Sequence, residues 1–118
     1  MRAEDAVGDY GERLAVRHLQ EQGCTVLARR WRCSRGELDI VAVDGGCLVV
    51  VEVKTRRSVL AGMPAEAVTP AKLARLRRLT AIWLDQQDAG WPQVRIDVIS
   101  VLLPRSGPAR IDHLRAVG

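Results

Sequence analysis

No apolar run in this 118-residue chain approaches the roughly 20 residues needed to cross a bilayer, so no membrane partner is expected. The start, with acids at Glu4 and Asp5, lacks the basic-then-apolar layout of a secretory signal, and a cytoplasmic location is expected. Cysteine is sparse. Cys24, Cys33 and Cys47 cannot all pair and show no C-x-x-C spacing, which argues against a disulfide framework or a zinc knuckle and leaves them as small buried side chains. His18 and His113 are the only histidines and lie far apart, so no zinc site is expected, and His18 reads as a core-edge residue. Repeats and low-complexity tracts are absent too. What remains is ordinary globular composition, 47% hydrophobic and 27% charged, at a length that suits a single domain, 1–118. A net charge of +4, from 18 basic and 14 acidic side chains, permits an anionic partner without identifying one.

Residues Arg35 to Arg57, RGELDIVAVDGGCLVVVEVKTRR, organise the rest of the chain. Two runs that alternate like strands, Leu38 to Val43 and Leu48 to Val53, flank Asp44-Gly45-Gly46, which can supply the positive backbone angles of a tight hairpin turn. With Gly45-Gly46 as a two-residue loop, Asp44 faces Cys47 and, counting outward, Asp39 faces Glu52. Their β-carbons would then lie about 5 Å apart. The period-2 rule puts Glu37 and Lys54 on the same face, one step further along. Adjacent carboxylates repel, and without a partner one of them is driven toward protonation. A hard divalent ion, Mg²⁺ or Mn²⁺, is the natural occupant. Mg²⁺ usually takes one or two carboxylates and fills its other positions with water and substrate phosphate. The same spacing also suits a solvated hairpin end, where glutamate and lysine pair across the surface at little gain.

Before this stretch, Ala3 to Gln22 reads as an amphipathic helix with Val7, Tyr10, Gly11, Leu14, Ala15 and His18 on one side and Gly23 just past its end. Gly8 and Gly11 weaken it by up to about 1 kcal/mol each, which is tolerable if bare backbone lets the helix approach a sheet closely. Glu12, at the edge of the stripe, either reaches toward the metal or is a solvated helix acid. Cys24 to Arg32 reads as the first strand, leading into Arg29, Arg30, Arg32 and Arg35 around Trp31. Basic side chains with an interleaved aromatic are what a phosphate backbone and an unstacked base would meet. The expectation is core packing for Trp31 and phosphate contacts from some of the arginines. Thr55 to Thr69 reads as a loop with a helical turn at Pro64 to Ala67, placed beside Lys54 as a flap over the substrate. Thr69-Pro70 then reads as N-cap and first position of a helix to about Gln87, burying Leu73, Leu76, Thr80, Trp83 and Leu84. Lys72, Arg75, Arg77 and Arg78 surround that stripe and either bind phosphates or solvate the helix. After a loop from Asp88 to Pro92, a right-handed β-α-β return makes Val94 to Leu103 a strand, and Arg110 to Val117 is a last strand or tail. The expected fold is α/β, a mixed β-sheet flanked by helices in the order α-β-β-β-α-β-β.

Four blocks resemble the bacterial YraN-like family, whose function is uncertain: Gly8-x-x-Gly11-Glu12-x-x-Ala15, Trp31-Arg32-Cys33 before Gly36-Glu37-Leu38-Asp39, Val51-Glu52-Val53-Lys54-Thr55-Arg56, and Arg95-Ile96-Asp97-Val98. Together they span nearly the whole chain. Asp39 followed by Glu52-Val53-Lys54 is similar to the D…(D/E)xK core of restriction-endonuclease-like nucleases. Archaeal Holliday-junction resolvases share that core with a glutamate on the first helix, and Glu12 sits at the matching place. Leu38 stands where many restriction enzymes have proline, which favours the resolvase-like branch.

The resemblance implies a restriction-endonuclease-like core and a Mg-dependent endonuclease that hydrolyses phosphodiesters in branched or otherwise structured DNA. Asp39, Glu52 and the carbonyl of Val53 would hold the ion, which acidifies a bound water and screens the charge building on the phosphate. Lys54 would position that water or stabilise the transition state, with Glu37 and Glu12 acting beside them. Arg30, Arg32, Arg35, Arg56, Lys72, Arg75 and Arg78 are the expected contacts to nucleic acid. A monomer or homodimer is expected. The competing expectations are a non-catalytic nucleic-acid-binding module that keeps the fold and, third, a structural or protein-interaction role. Three carboxylates beside an anionic ligand would serve a pure binder poorly, and that favours catalysis.

Overall fold

The computed structural model describes residues 3–57 and 68–118, in the order α1 (Ala3–Glu21), β1 (Thr25–Cys33), β2 (Gly36–Asp44), β3 (Cys47–Arg56), α2 (Pro70–Asp85), β4 (Gln93–Leu102) and β5 (Arg110–Leu114). The hairpin forms in the expected register, with Asp44 opposite Cys47 and Ile40 opposite Val51 about a turn where Gly45 has φ +60°. The sheet runs β1-β2-β3-β4-β5, antiparallel except for the parallel β3–β4 pair, so it is mixed. Thr55 and Arg56, expected in a loop, instead extend β3, because they pair with Val101 and Leu102 of β4. The helical turn and flap expected between 58 and 67 lie outside the described residues.

Leu48, Val49, Val50 and Val51 are all essentially inaccessible, as a strand covered on both faces requires. One face packs Ile40, Ala42, Val49, Val51, Ile99 and Val101 against Ala15 and Leu19 of α1. The other packs Val41, Leu48, Val50 and Ile96 against Leu76, Leu79 and Trp83 of α2. Thr69 caps α2 by accepting from the Lys72 N–H at 3.1 Å, with Pro70 in the first turn. Leu79, absent from the expected stripe, is fully buried, whereas Leu73 and Leu84 are only partly so.

The two α1 glycines differ. A β-carbon at Gly11 would fall 2.8 Å from the Thr55 Cβ, so bare backbone is what lets α1 lie against β3 at this point. A β-carbon at Gly8 would meet nothing within 4 Å. Close approach therefore explains Gly11 alone. Gly8→Ala is expected to raise stability by about 0.5–1 kcal/mol through helix propensity, and Gly11→Ala to lower it by about 1–3 kcal/mol through overpacking. Urea denaturation of both variants checks the contrast, and equal effects at the two positions would refute the close-approach account.

Candidate active site

Asp39 sits where the regular sheet is interrupted. The β2–β3 pairing stops at Ile40 opposite Val51, and the β1–β2 pairing passes from Arg29 opposite Ile40 to Trp31 opposite Leu38 without a pair at Arg30 and Asp39. Arg30 occupies the left-handed region at φ +50°, a conformation that costs a non-glycine residue roughly 1–2 kcal/mol. Here β2 also changes the face it shows: Leu38 packs in the α2-side cluster and Ile40, two residues on, in the α1-side cluster. Period-2 alternation thus does not run through Asp39, although the Glu37 charge still reaches it.

In place of a backbone partner, the Asp39 carboxylate accepts the Val53 N–H at 2.8 Å through Oδ2. The expected Asp39–Glu52 ladder pair is not formed, since the pairing ends at Ile40 opposite Val51, but the Glu52 charge still acts on Asp39. Burial first, and then the Glu52 charge, push the Asp39 carboxyl from 3.8 up to about 7, against the opposing pull of the Val53 hydrogen bond. Glu37 and Glu12 add smaller pushes in the same direction. Val53 turns its carbonyl to the same side as its N–H, toward β2. Lys54, half-buried in register with Ser100, forms no ion pair among the described residues.

The two outer acids are paired with arginines. Glu12, 6% exposed, accepts from Arg29 Nε at 3.2 Å and Arg30 Nε at 2.7 Å. Glu37 pairs with Arg32 at 3.5 Å across β1 and β2. Among the described residues no three acids, histidines or cysteines form a ready cluster for a metal. The donor set that fits a divalent ion is therefore the smaller one of Asp39, Glu52 and the Val53 carbonyl. Two carboxylates suffice for Mg²⁺, and a carboxyl raised by burial and then by its neighbour's charge is one that a cation would ionise.

The arginines divide in the same way. Arg30 is committed to Glu12 and Asp9, and Arg32 to Glu37. Hydrogen bonding to Glu12 holds the Arg30 guanidinium in its charged form, above its ordinary value. Arg35, Arg75 and Arg78 instead line one cleft of about 250 Å³ with Leu79, and none forms an ion pair among the described residues. Arg56 and Lys72 each have an interaction of their own. Trp31 packs against the α2-side core, as expected.

A second polar centre went unanticipated. Asp97, wholly buried on β4, accepts from Arg95 Nε at 3.1 Å, His113 Nε2 at 2.8 Å and the Ala116 N–H at 2.9 Å. His113 Nδ1 lies 3.0 Å from His18 Nε2, so α1, β4 and β5 are joined through one chain of polar contacts. Burial would raise the Asp97 carboxyl, but the bonds from His113, Ala116 and Arg95 outweigh it and hold it below its usual range. Burial, then the His113 charge, lower His18. The available signal was a lone aspartate inside the apolar run Ile96 to Val101, which needs partners to be buried at all.

The model of the uncharacterised protein family UPF0102 matches residues 11–101, a span that contains Glu12, Asp39, Glu52, Lys54 and Asp97. UPF0102 proteins of Kineococcus radiotolerans and Beutenbergia cavernae are 61% and 60% identical to this chain over 118 residues. These matches cover 99% and 100% of this chain and 97% and 100% of the relatives. The UPF0102 protein of Arthrobacter sp. strain FB24 is 51% identical over the full length of both. With the family model matching most of the chain and relatives alike from end to end, the chain belongs to the UPF0102 family, in keeping with the YraN-like resemblance.

Proposed function

We propose that this protein is a metal-dependent nuclease that hydrolyses DNA phosphodiesters in the cytoplasm. The observation that carries this reading is the Asp39 carboxyl, half-buried beside Glu52 at a break in the sheet and pushed up to about 7. A fold gains no stability from such a pair, so its presence is best accounted for by a cation and a reacting phosphate. When bound there, Mg²⁺ or Mn²⁺ would neutralise charge on the phosphate and acidify a water. Asp39 and Glu52 would hold the ion with the Val53 carbonyl, the Val53 N–H holds the Asp39 carboxylate, and Lys54 would supply a positive charge beside the scissile phosphate. Arg35, Arg75 and Arg78 take the flanking phosphates. Glu12, bound by two guanidiniums, acts by positioning Arg29 and Arg30 rather than as an ion ligand. Incubating the protein with labelled branched, flapped, nicked and single-stranded DNA in Mg²⁺ or Mn²⁺ tests the reading, and no cleavage of any substrate would overturn it.

A nucleic-acid-binding module without catalysis is the second reading, favoured by the pairing of Glu12 and Glu37 with arginines. Both readings predict phosphate contacts along α2. Arg75→Ala with Arg78→Ala is expected to lower the slope of log affinity against log salt by about 2, roughly one per lost contact. An unchanged slope in anisotropy titrations would reassign that flank to solvation.

A further inference from the structure

A groove of about 770 Å³ opens beside the end of β3, bounded by Ala6, Val7 and Tyr10 of α1, by Arg57, and by the β4–β5 connection from Leu103 to Ala109. Its shape is fixed by the backbone, since the Leu103 N–H donates to the Arg56 carbonyl at 2.7 Å and so ties the connection to β3. Its lining includes the apolar residues Val7, Leu103, Pro104 and Ala109. Tyr10, 46% exposed, also lines it, as do Arg57 and Arg105, neither of which forms an ion pair among the described residues. Tyr10 is not loose. Arg13 lies 5.7 Å from its ring centroid and is itself held by Asp9 at 3.3 Å.

An exposed ring, apolar lining residues and two arginines without an ion pair among the described residues together match a ligand that is flat, aromatic and anionic along one edge. An unpaired nucleotide has that chemistry: its base stacks on tyrosine while its phosphates meet arginine. Base pairs inside a duplex cannot offer a face to Tyr10. The location adds direction. Arg57 follows Glu52 by five residues, and at a strand rise of 3.3 Å per residue the two are about 16 Å apart, a few nucleotides along one strand. The geometry points to a groove that receives a single-stranded DNA segment next to the scissile phosphate, which makes the substrate class DNA with an unpaired tail or flap beside the cut. This inference rests on the nuclease reading for the identity of the cut, but the groove can be tested by binding alone.

The test is anisotropy in EDTA with a blunt duplex and with the same duplex carrying a single-stranded tail. Wild type is expected to bind the tailed form on the order of tenfold more tightly, the contribution of about one stacked base. Tyr10→Ala, and separately Arg57→Ala with Arg105→Ala, should reduce the tailed affinity to that of the blunt duplex. Tyr10→Trp should keep the preference, which a merely structural role for the tyrosine hydroxyl would not allow. Arg75→Ala with Arg78→Ala should weaken both forms equally. A preference that survives Tyr10→Ala overturns the groove assignment. Equal binding of both forms by wild type also overturns it, but leaves the nuclease reading intact, whereas no binding of either form overturns both.

Discussion

At pH 8 and without divalent metal, Asp39→Asn is expected to melt about 8 °C above the wild type. The carboxyl stands at about 7 in the folded protein against 3.8 for the ordinary group, so the folded state holds its proton more tightly than the unfolded chain does. Stability from this group is present in full below pH 3.8 and is lost as pH rises through about 7. A shift of that size corresponds to roughly 4 kcal/mol at 1.36 kcal/mol per pH unit. Solvent relaxation around a half-buried group reduces this, and about 2 kcal/mol is the expected gain. Asparagine keeps an oxygen to accept the Val53 N–H and turns a repelled oxygen toward Glu52 as a donor. The advantage should shrink toward pH 5, where the wild type regains its proton.

Other groups pull the opposite way. Asp97 and His18 are both lowered by folding, so their contributions are present at high pH and are lost as pH falls, for His18 through its depressed value below 6.5 and for Asp97 through the carboxylate range. They are common to both proteins and cancel in the difference. Mn²⁺ should raise the melting temperature of the wild type and leave Asp39→Asn nearly unmoved. Parallel melting curves for the two proteins from pH 5 to pH 9 would remove the coupled-acid account of the site.

The hairpin that carries these acids was legible because its determinants are local. Gly45-Gly46 sets the turn, the alternation on either side sets the register, and nothing distant is needed to pair Asp44 with Cys47 through to Ile40 with Val51. The Thr69-Pro70 cap is local in the same sense. The reversal of β2 at Asp39 was not legible, and neither was the φ of +50° at Arg30 on the neighbouring strand, which no propensity of arginine announces. Glu12 could be placed on its helix but not with its partners, since Arg29 and Arg30 reach it only after α1 docks on the sheet. Asp97 is the clearest case of long range. Its partner His113 lies 16 residues away, and His18 joins His113 across 95 residues, so the two histidines that looked unrelated in the chain meet in the fold.

Cleavage by the wild type, in Mg²⁺ or Mn²⁺ but not in Ca²⁺, is the largest effect expected, because the longer and looser coordination of Ca²⁺ holds substrate without aligning the attacking water. Asp39→Ala and Glu52→Ala should each reduce the rate on the order of a thousandfold or more, since either change removes half of the charge that fixes the ion. Neither should weaken DNA binding in EDTA, because taking a carboxylate away from an approaching phosphate lowers repulsion. Lys54→Ala should slow the reaction by about a hundredfold while Mn²⁺ still raises its melting temperature, since in the proposed mechanism the lysine would act on the phosphate and not hold the ion. Glu12→Gln should behave differently from all three, losing stability through Arg29 and Arg30 while keeping the metal response. A contaminating nuclease would persist through every substitution, and a binding module would cut nothing in any metal. Metal-dependent cleavage that survives Glu52→Ala would sink the mechanism, because the half-neutral Asp39 would then be a consequence of burial alone and not of a shared ion site.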